Sequence, residues 1–177
     1  LVAGSGLAVD TGDGDQLSPV PFDRTLTTGL TGVDVEQARE AGYVIPRGEV
    51  FYSQYEYVVG YYGTDALVAG VTGPQQTAQF GRPLAVFVTD LAGTDPELTA
   101  EGYVTLPNGT RPGWTRAEGA WFVVGTPART PAGSTALPFG DRANARAHDG
   151  SVLDWEALQE RLGGRRDAVD HEPPVAE

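Results

Sequence analysis

The chain of 177 residues contains no cysteine, no methionine and no lysine. Without cysteine, disulfides, thiolate metal sites, iron–sulfur clusters, cysteine nucleophiles and cysteine lipidation are excluded. Without methionine the other soft-metal donor is gone as well. Without lysine there can be no Gly-x-x-x-x-Gly-Lys phosphate loop, and the sequence also lacks a Gly-x-Ser-x-Gly nucleophile turn and a His-Glu-x-x-His zinc helix. Only two histidines are available, His148 and His171. Apolar runs stop well short of the roughly 20 residues that span a bilayer. Nothing here carries catalysis, and the chain reads as a non-enzyme.

What is present is acid. There are 24 Asp and Glu against 12 basic residues, all of them arginine, for a net charge of −12 and a pI near 4.4. Nucleic acid and anionic lipid both need a cationic footprint, so neither is expected as a partner. Lysine-free acidity in a sequence that is 40% hydrophobic fits a protein from a halophile, where molar salt screens self-repulsion within about 3 Å. The length is ample for a hydrophobic core.

Residues 1–30 differ from the rest. Leu1 to Ala8 are small and apolar, as in the remnant of a signal segment or an N-terminal anchor, and Asp10 to Asp15 form a Gly/Asp linker. That linker is not an EF-hand, because neither Asp10 nor Asp13 is followed at the required spacing by Glu. Residues 163–177 read as an acidic C-terminal tail.

Between them, strands and short helices alternate. Asp34 with Gln37 three residues on predicts a helix start, with Gly42 as its stop. Strands follow at Tyr43–Ile45 and Glu49–Tyr52. Tyr55–Tyr62 fits a strand by composition or a helix capped by Ser53. Leu84–Val88 is a buried strand ending at Thr89-Asp90. Further on, Thr115 and Glu118 predict a capping box for a helix at 115–120, before a strand Trp121–Val124 that stops at Gly125. Asp141 caps a helix through Arg146, a strand occupies 151–153, and Asp154 caps a last helix that Gly163 ends. Val86, Val88, Phe122, Val124, Val152, Trp155 and Leu158 are the expected core. Two modules result, about 31–94 and 112–162, within one domain over 31–162.

Tyr52, Tyr55, Tyr57, Tyr61 and Tyr62 crowd one stretch and, with Trp114, are candidate partner contacts, although core packing explains such a cluster equally well. Asn108-Gly109-Thr110 matches the glycosylation sequon. His148 lies near a helix end, where it suits the helix dipole better than a base's role.

From Ala38 to about Leu162 the order of landmarks resembles the NosL family, the extracytoplasmic copper-binding accessory proteins of nitrous oxide reductase maturation. The stretches that carry the likeness are Ala38-Arg39-Glu40-Ala41-Gly42-Tyr43-Val44-Ile45, Phe87-Val88-Thr89-Asp90 and Trp114-Thr115-Arg116-Ala117. They continue through Ala120-Trp121-Phe122-Val123-Val124-Gly125, Pro138-Phe139-Gly140 and Gly150-Ser151-Val152-Leu153-Asp154-Trp155. The family's soft copper ligands, cysteine and methionine, would stand at Ala38, Ala41, Tyr43 and Phe139. None of these side chains is a Cu(I) donor.

The resemblance implies an α+β fold of two small ββαβ-type modules and residence outside the cytoplasmic membrane, membrane-associated or secreted. It implies an accessory or structural subunit of a membrane-associated respiratory, denitrification-type metalloenzyme, with a protein partner, no cofactor and no metal. The alternative is a copper chaperone that uses His148, Tyr43 and carboxylates, hence Cu(II). If the family's site survives as shape alone, Ala38, Ala41, Tyr43 and Phe139 should converge, with the two rings filling the vacated volume.

Overall fold

A computed structural model describes residues 17–28 and 30–170. A short strand β1 (Leu26–Thr28) precedes helix α1 (Gly32–Glu40). The cap of α1 is Thr31 and not Asp34: the Thr31 hydroxyl accepts the Asp34 amide at 3.1 Å, so the helix starts one turn before its first acidic residue. Gly42, at φ +85°, ends the helix as expected and turns the chain into β2 (Tyr43–Val44).

The first module continues through β3 (Arg47–Tyr52), β4 (Val59–Tyr62), α2 (Thr64–Thr72), α3 (Pro74–Phe80) and β5 (Pro83–Asp90). The ambiguous tyrosine stretch is a turn followed by a strand. Ser53 caps no helix; its hydroxyl accepts the Arg82 amide, joining the end of β3 to the start of β5. Helices α2 and α3 are not legible in the sequence, and Gly70 shows why. A Cβ there would lie 2.3 Å from the Tyr61 ring, so the helix interior carries a glycine that propensity alone penalises. Strand β5 also runs through Thr89 and Asp90 and does not end before them.

Strands β6 (Glu97–Leu98) and β7 (Val104–Thr105) come next and join β2 in a small antiparallel sheet of order β2-β7-β6. The helix expected at 115–120 is instead strand β8 (Gly113–Arg116) with a 3₁₀ turn at Ala117–Gly119. Thr115 pairs with Val88 and Glu118 binds Arg116 at 3.0 Å, so the demand of β5 for a partner overrides the capping box.

The second module is β9 (Trp121–Val124), the hairpin β10 (Arg129–Thr130) and β11 (Gly133–Ser134), β12 (Leu137–Phe139), α4 (Arg142–Arg146), β13 (Ser151–Asp154) and α5 (Trp155–Asp170). Asp141 caps α4 and Asp154 accepts the Ala157 amide, both as the sequence indicates. Gly163 does not stop α5; a Cβ there would lie 3.9 Å from the Thr72 hydroxyl of α2, and one glycine's cost of about 1 kcal/mol is tolerated within a docked helix.

Each module sets one strand between two others: β4-β3-β5 in one, widened by β1 and β8 to five strands, and β12-β9-β13 in the other. The fold is thus α+β, built of two ββαβ units. One core gathers Val50, Tyr61, Leu67, Val68 and Val88 with Phe122 and Leu158; Val86, Val124 and Trp155 pack on its margin. The other holds Leu91, Val104, Val123, Leu137, Phe139 and Ala145, with Val152 at its margin. Among the described residues no helix is long and apolar enough to cross a membrane. Residues 1–16, the Gly/Asp linker among them, and His171 lie outside the described residues.

Candidate functional site

The four positions singled out in the sequence occupy the surroundings of α1 and the second core. Ala38, 4% exposed, is the one buried residue of α1, while Ala41 is the exposed residue at its C-terminus. The turn at Gly42 brings Tyr43 back beside Ala38. Both line a small cavity of about 160 Å³ together with Asp34, Gln37, Tyr103 and Pro131. The Tyr43 ring stacks on Tyr103 at 4.6 Å and 14°, and the Arg129 guanidinium lies over Tyr103.

Phe139 is elsewhere. It is fully buried in the second core and stacks on His148 at 5.0 Å. Val44, next to Tyr43, packs against that same core, so the α1–β2 turn abuts it, but Tyr43 and Phe139 take separate ring partners. The His148 backbone amide donates to Ala145 just past α4, and its ring is half-buried under Phe139.

This donor set does not fit a cuprous ion, which needs thiolate or thioether sulfur. Alanine methyls and stacked aromatic rings offer none. Among the described residues no three His, Asp or Glu side chains gather where they could hold a metal. Asp34, the carboxylate nearest the cavity, is engaged by the Thr31 hydroxyl at 2.8 Å.

The tyrosine cluster divides. Tyr52 and Tyr61 are buried, hydroxyl to hydroxyl at 2.7 Å, with Tyr52 also donating to the Gly70 carbonyl. Burial pushes both phenols above their ordinary range. Tyr55 packs on Phe80 at 4.3 Å, Tyr57 is 61% exposed, and Tyr62 and Trp114 are half-buried against Phe22. Asn108 sits in an exposed turn closed by the Thr110 amide on the Pro107 carbonyl.

Sequence reasoning misses the residues that join the modules. Asp90 accepts the amides of Gly140 at 2.7 Å and Ala92 at 2.9 Å, so the end of β5 grips the β12–α4 turn. The Leu91 amide donates to the Pro138 carbonyl and the Gly93 amide to the Asn144 side chain. A reciprocal tie runs the other way: Thr64, at the start of α2, accepts the Ala136 amide at 2.7 Å and meets the Thr135 hydroxyl at 3.1 Å. An Asp at the end of an apolar strand is the available signal, but on local chemistry it reads only as a strand stop.

Comparison with known proteins is consistent with this architecture. The NosL family pattern matches residues 36–162, more than half of the chain. No curated protein matches it. Among solved structures, the crystal structure of the copper chaperone NosL from Shewanella denitrificans is similar, with a TM-score of 0.50 and 20% identity. That likeness covers 65% of this chain and 79% of the other, and it is a likeness of fold. Sequence pattern over most of the domain, together with the paired ββαβ modules, establishes that this chain belongs to the NosL family.

Proposed function

We propose that this chain is a non-catalytic accessory subunit of NosL type that binds a respiratory, denitrification-type metalloenzyme outside the cytoplasmic membrane, membrane-associated or secreted, and has given up carrying copper. One observation carries the reading: the chain has neither cysteine nor methionine with which to hold Cu(I), and Phe139, one of the four positions that the family resemblance assigns to a ligand, is fully buried. A cargo carrier must open and close around its metal; a fully buried aromatic ring in a packed core favours a permanently closed seam. Exposed Tyr57 with half-buried Tyr55, Tyr62 and Trp114 offers the aromatic surface on which protein interfaces depend.

The test is a titration of the protein with Cu(I), under anaerobic conditions that keep the copper reduced, against a chromogenic chelator of moderate affinity. The chelator should keep the metal at every ratio. One equivalent transferred to the protein would reinstate metal delivery, and a Cu(II) spectrum with nitrogen coupling from His148 would reinstate the alternative ligand set. Subunits of a metalloenzyme should co-purify with the tagged chain from native envelopes; a chain recovered alone under mild extraction counts against the partner role.

A further inference from the structure

The two modules are not buried alike. Aligning their helix caps, Gly63 with Asp141, and their strand pairs, Gly48↔Tyr61 with Trp121↔Phe139, sets Glu49 opposite Phe122. Phe122 packs into the core shared by both modules. Glu49 lies at zero exposure on the outer face of the first sheet, where residues 17–25 cross over it. One of its oxygens accepts the Val20 amide at 2.9 Å; the other, Oε2, is buried with no partner.

The rest of the crossing segment is held by one ring. Phe22, 8% exposed, meets Tyr62 edge-on at 5.0 Å and stacks on Trp114 at 6.2 Å, and the Arg47 guanidinium lies 4.6 Å from its centre. Gly60 permits this approach, since a Cβ there would come within 2.3 Å of the Thr25 hydroxyl and 2.8 Å of Phe22. The segment's other turns are local, Arg24 to Pro21 and Thr25 to Phe22.

We propose that residues 17–25 are a proton-controlled strap, closed over the outer face of the first sheet while Glu49 is protonated and released when Glu49 ionises. A carboxylate buried with an unpartnered oxygen is costly to charge, whereas a neutral acid can keep the Val20 amide on one oxygen and its own proton on the other. Desolvation accordingly pushes Glu49 from 4.5 up to about 7, against the opposing pull of the Val20 amide and Arg47. The charged and titratable groups nearby are Arg47 on the same strand, Tyr62 on β4, Arg116 on β8, and Asp23 and Arg24 on the strap. Of these, Arg47 lies over Phe22 with its charge partly offsetting the desolvation of Glu49, Arg116 is held by Glu118, and Asp23 and Arg24 are exposed. Releasing the strap hydrates Glu49 and returns it toward its ordinary range. The closed state therefore binds more protons between the two values, and closure weakens as pH rises through neutrality. This inference is independent of the accessory role proposed above.

Amide hydrogen exchange on the full chain at pH 5.5 and 8.5, corrected for intrinsic exchange, tests it. Protection at Val20, whose amide is bonded to Glu49, should fall at least about tenfold between the two, while Val50 and Val88 in the sheet hold theirs. Glu49→Gln, which cannot ionise but still accepts the Val20 amide, should stay protected at both. Phe22→Ala should lose strap protection at both pH values with the sheet intact. Strap protection unchanged with pH in the parent chain, the same fall in Glu49→Gln, or loss of sheet protection together with the strap in Phe22→Ala would each overturn the proposal.

Discussion

The Tyr52–Tyr61 pair shows how a single contact sets a property of the fold. Two phenols share a hydrogen bond inside the first core, and the Gly70 carbonyl takes a second one from Tyr52. Replacing Tyr52 with Phe removes the partner of the Tyr61 hydroxyl and the second bond to that carbonyl, at an expected cost of about 1 to 3 kcal/mol in urea denaturation. The sign of the pH effect follows from burial. Both phenols are raised above 10, so the folded state resists ionising them. Stability is fully present below about pH 10 and is lost as pH climbs toward the raised values. Denaturation curves between pH 9 and 11 should show a shallower decline in Tyr52→Phe; an unchanged slope would place the alkaline sensitivity elsewhere.

Between elements, the junction of β5 with the β12–α4 turn depends on the Asp90 carboxylate. One oxygen collects two amides, and Gly140 approaches so closely that a Cβ there would lie 2.6 Å from the other. Asp90→Ala should destabilise the protein by about 1.5 to 3 kcal/mol, because two amides lose a charged acceptor. Asp90→Asn, whose carbonyl oxygen can still accept, should recover much of that. If Ala and Asn variants unfold at the same denaturant concentration, the tie is not what holds the turn. This junction also gives a physical sense to Phe87-Val88-Thr89-Asp90: the acid ends a strand of one module and fastens the other.

Across the whole molecule, acidic charge far outweighs the basic charge available to neutralise it. The salt bridges Arg39–Glu36 and Arg116–Glu118 each occupy one arginine, and the net charge is still −12. Repulsion among the excess carboxylates is long-ranged at low ionic strength and confined to about 3 Å in molar salt. Thermal unfolding should therefore move up by several degrees between 0.1 M and 2 M KCl. Melts that coincide across that range would detach the acidic composition from any adaptation to salt.

Local chemistry in the sequence was enough to determine helix starts in the second module and stops in both modules. Asp141 and Asp154 sit beside the helices they cap, and Gly42 and Gly125 adopt the left-handed backbone at which their elements stop. The lack of any cysteine or methionine was equally plain, since a side chain's chemistry needs no fold to be read. Tertiary structure alone decided the rest. It turned Thr115 into a strand residue because β5 required a partner, kept residues 64–72 helical despite Gly70, which makes room for the Tyr61 ring, and carried α5 past Gly163 along α2. It also sealed Glu49 beneath Val20, a burial that no local pattern encodes because the covering residues lie 29 positions away. Caps and stops act over one turn of chain, whereas strand partners, close ring approaches and buried charges are settled by whichever distant segment packs against them.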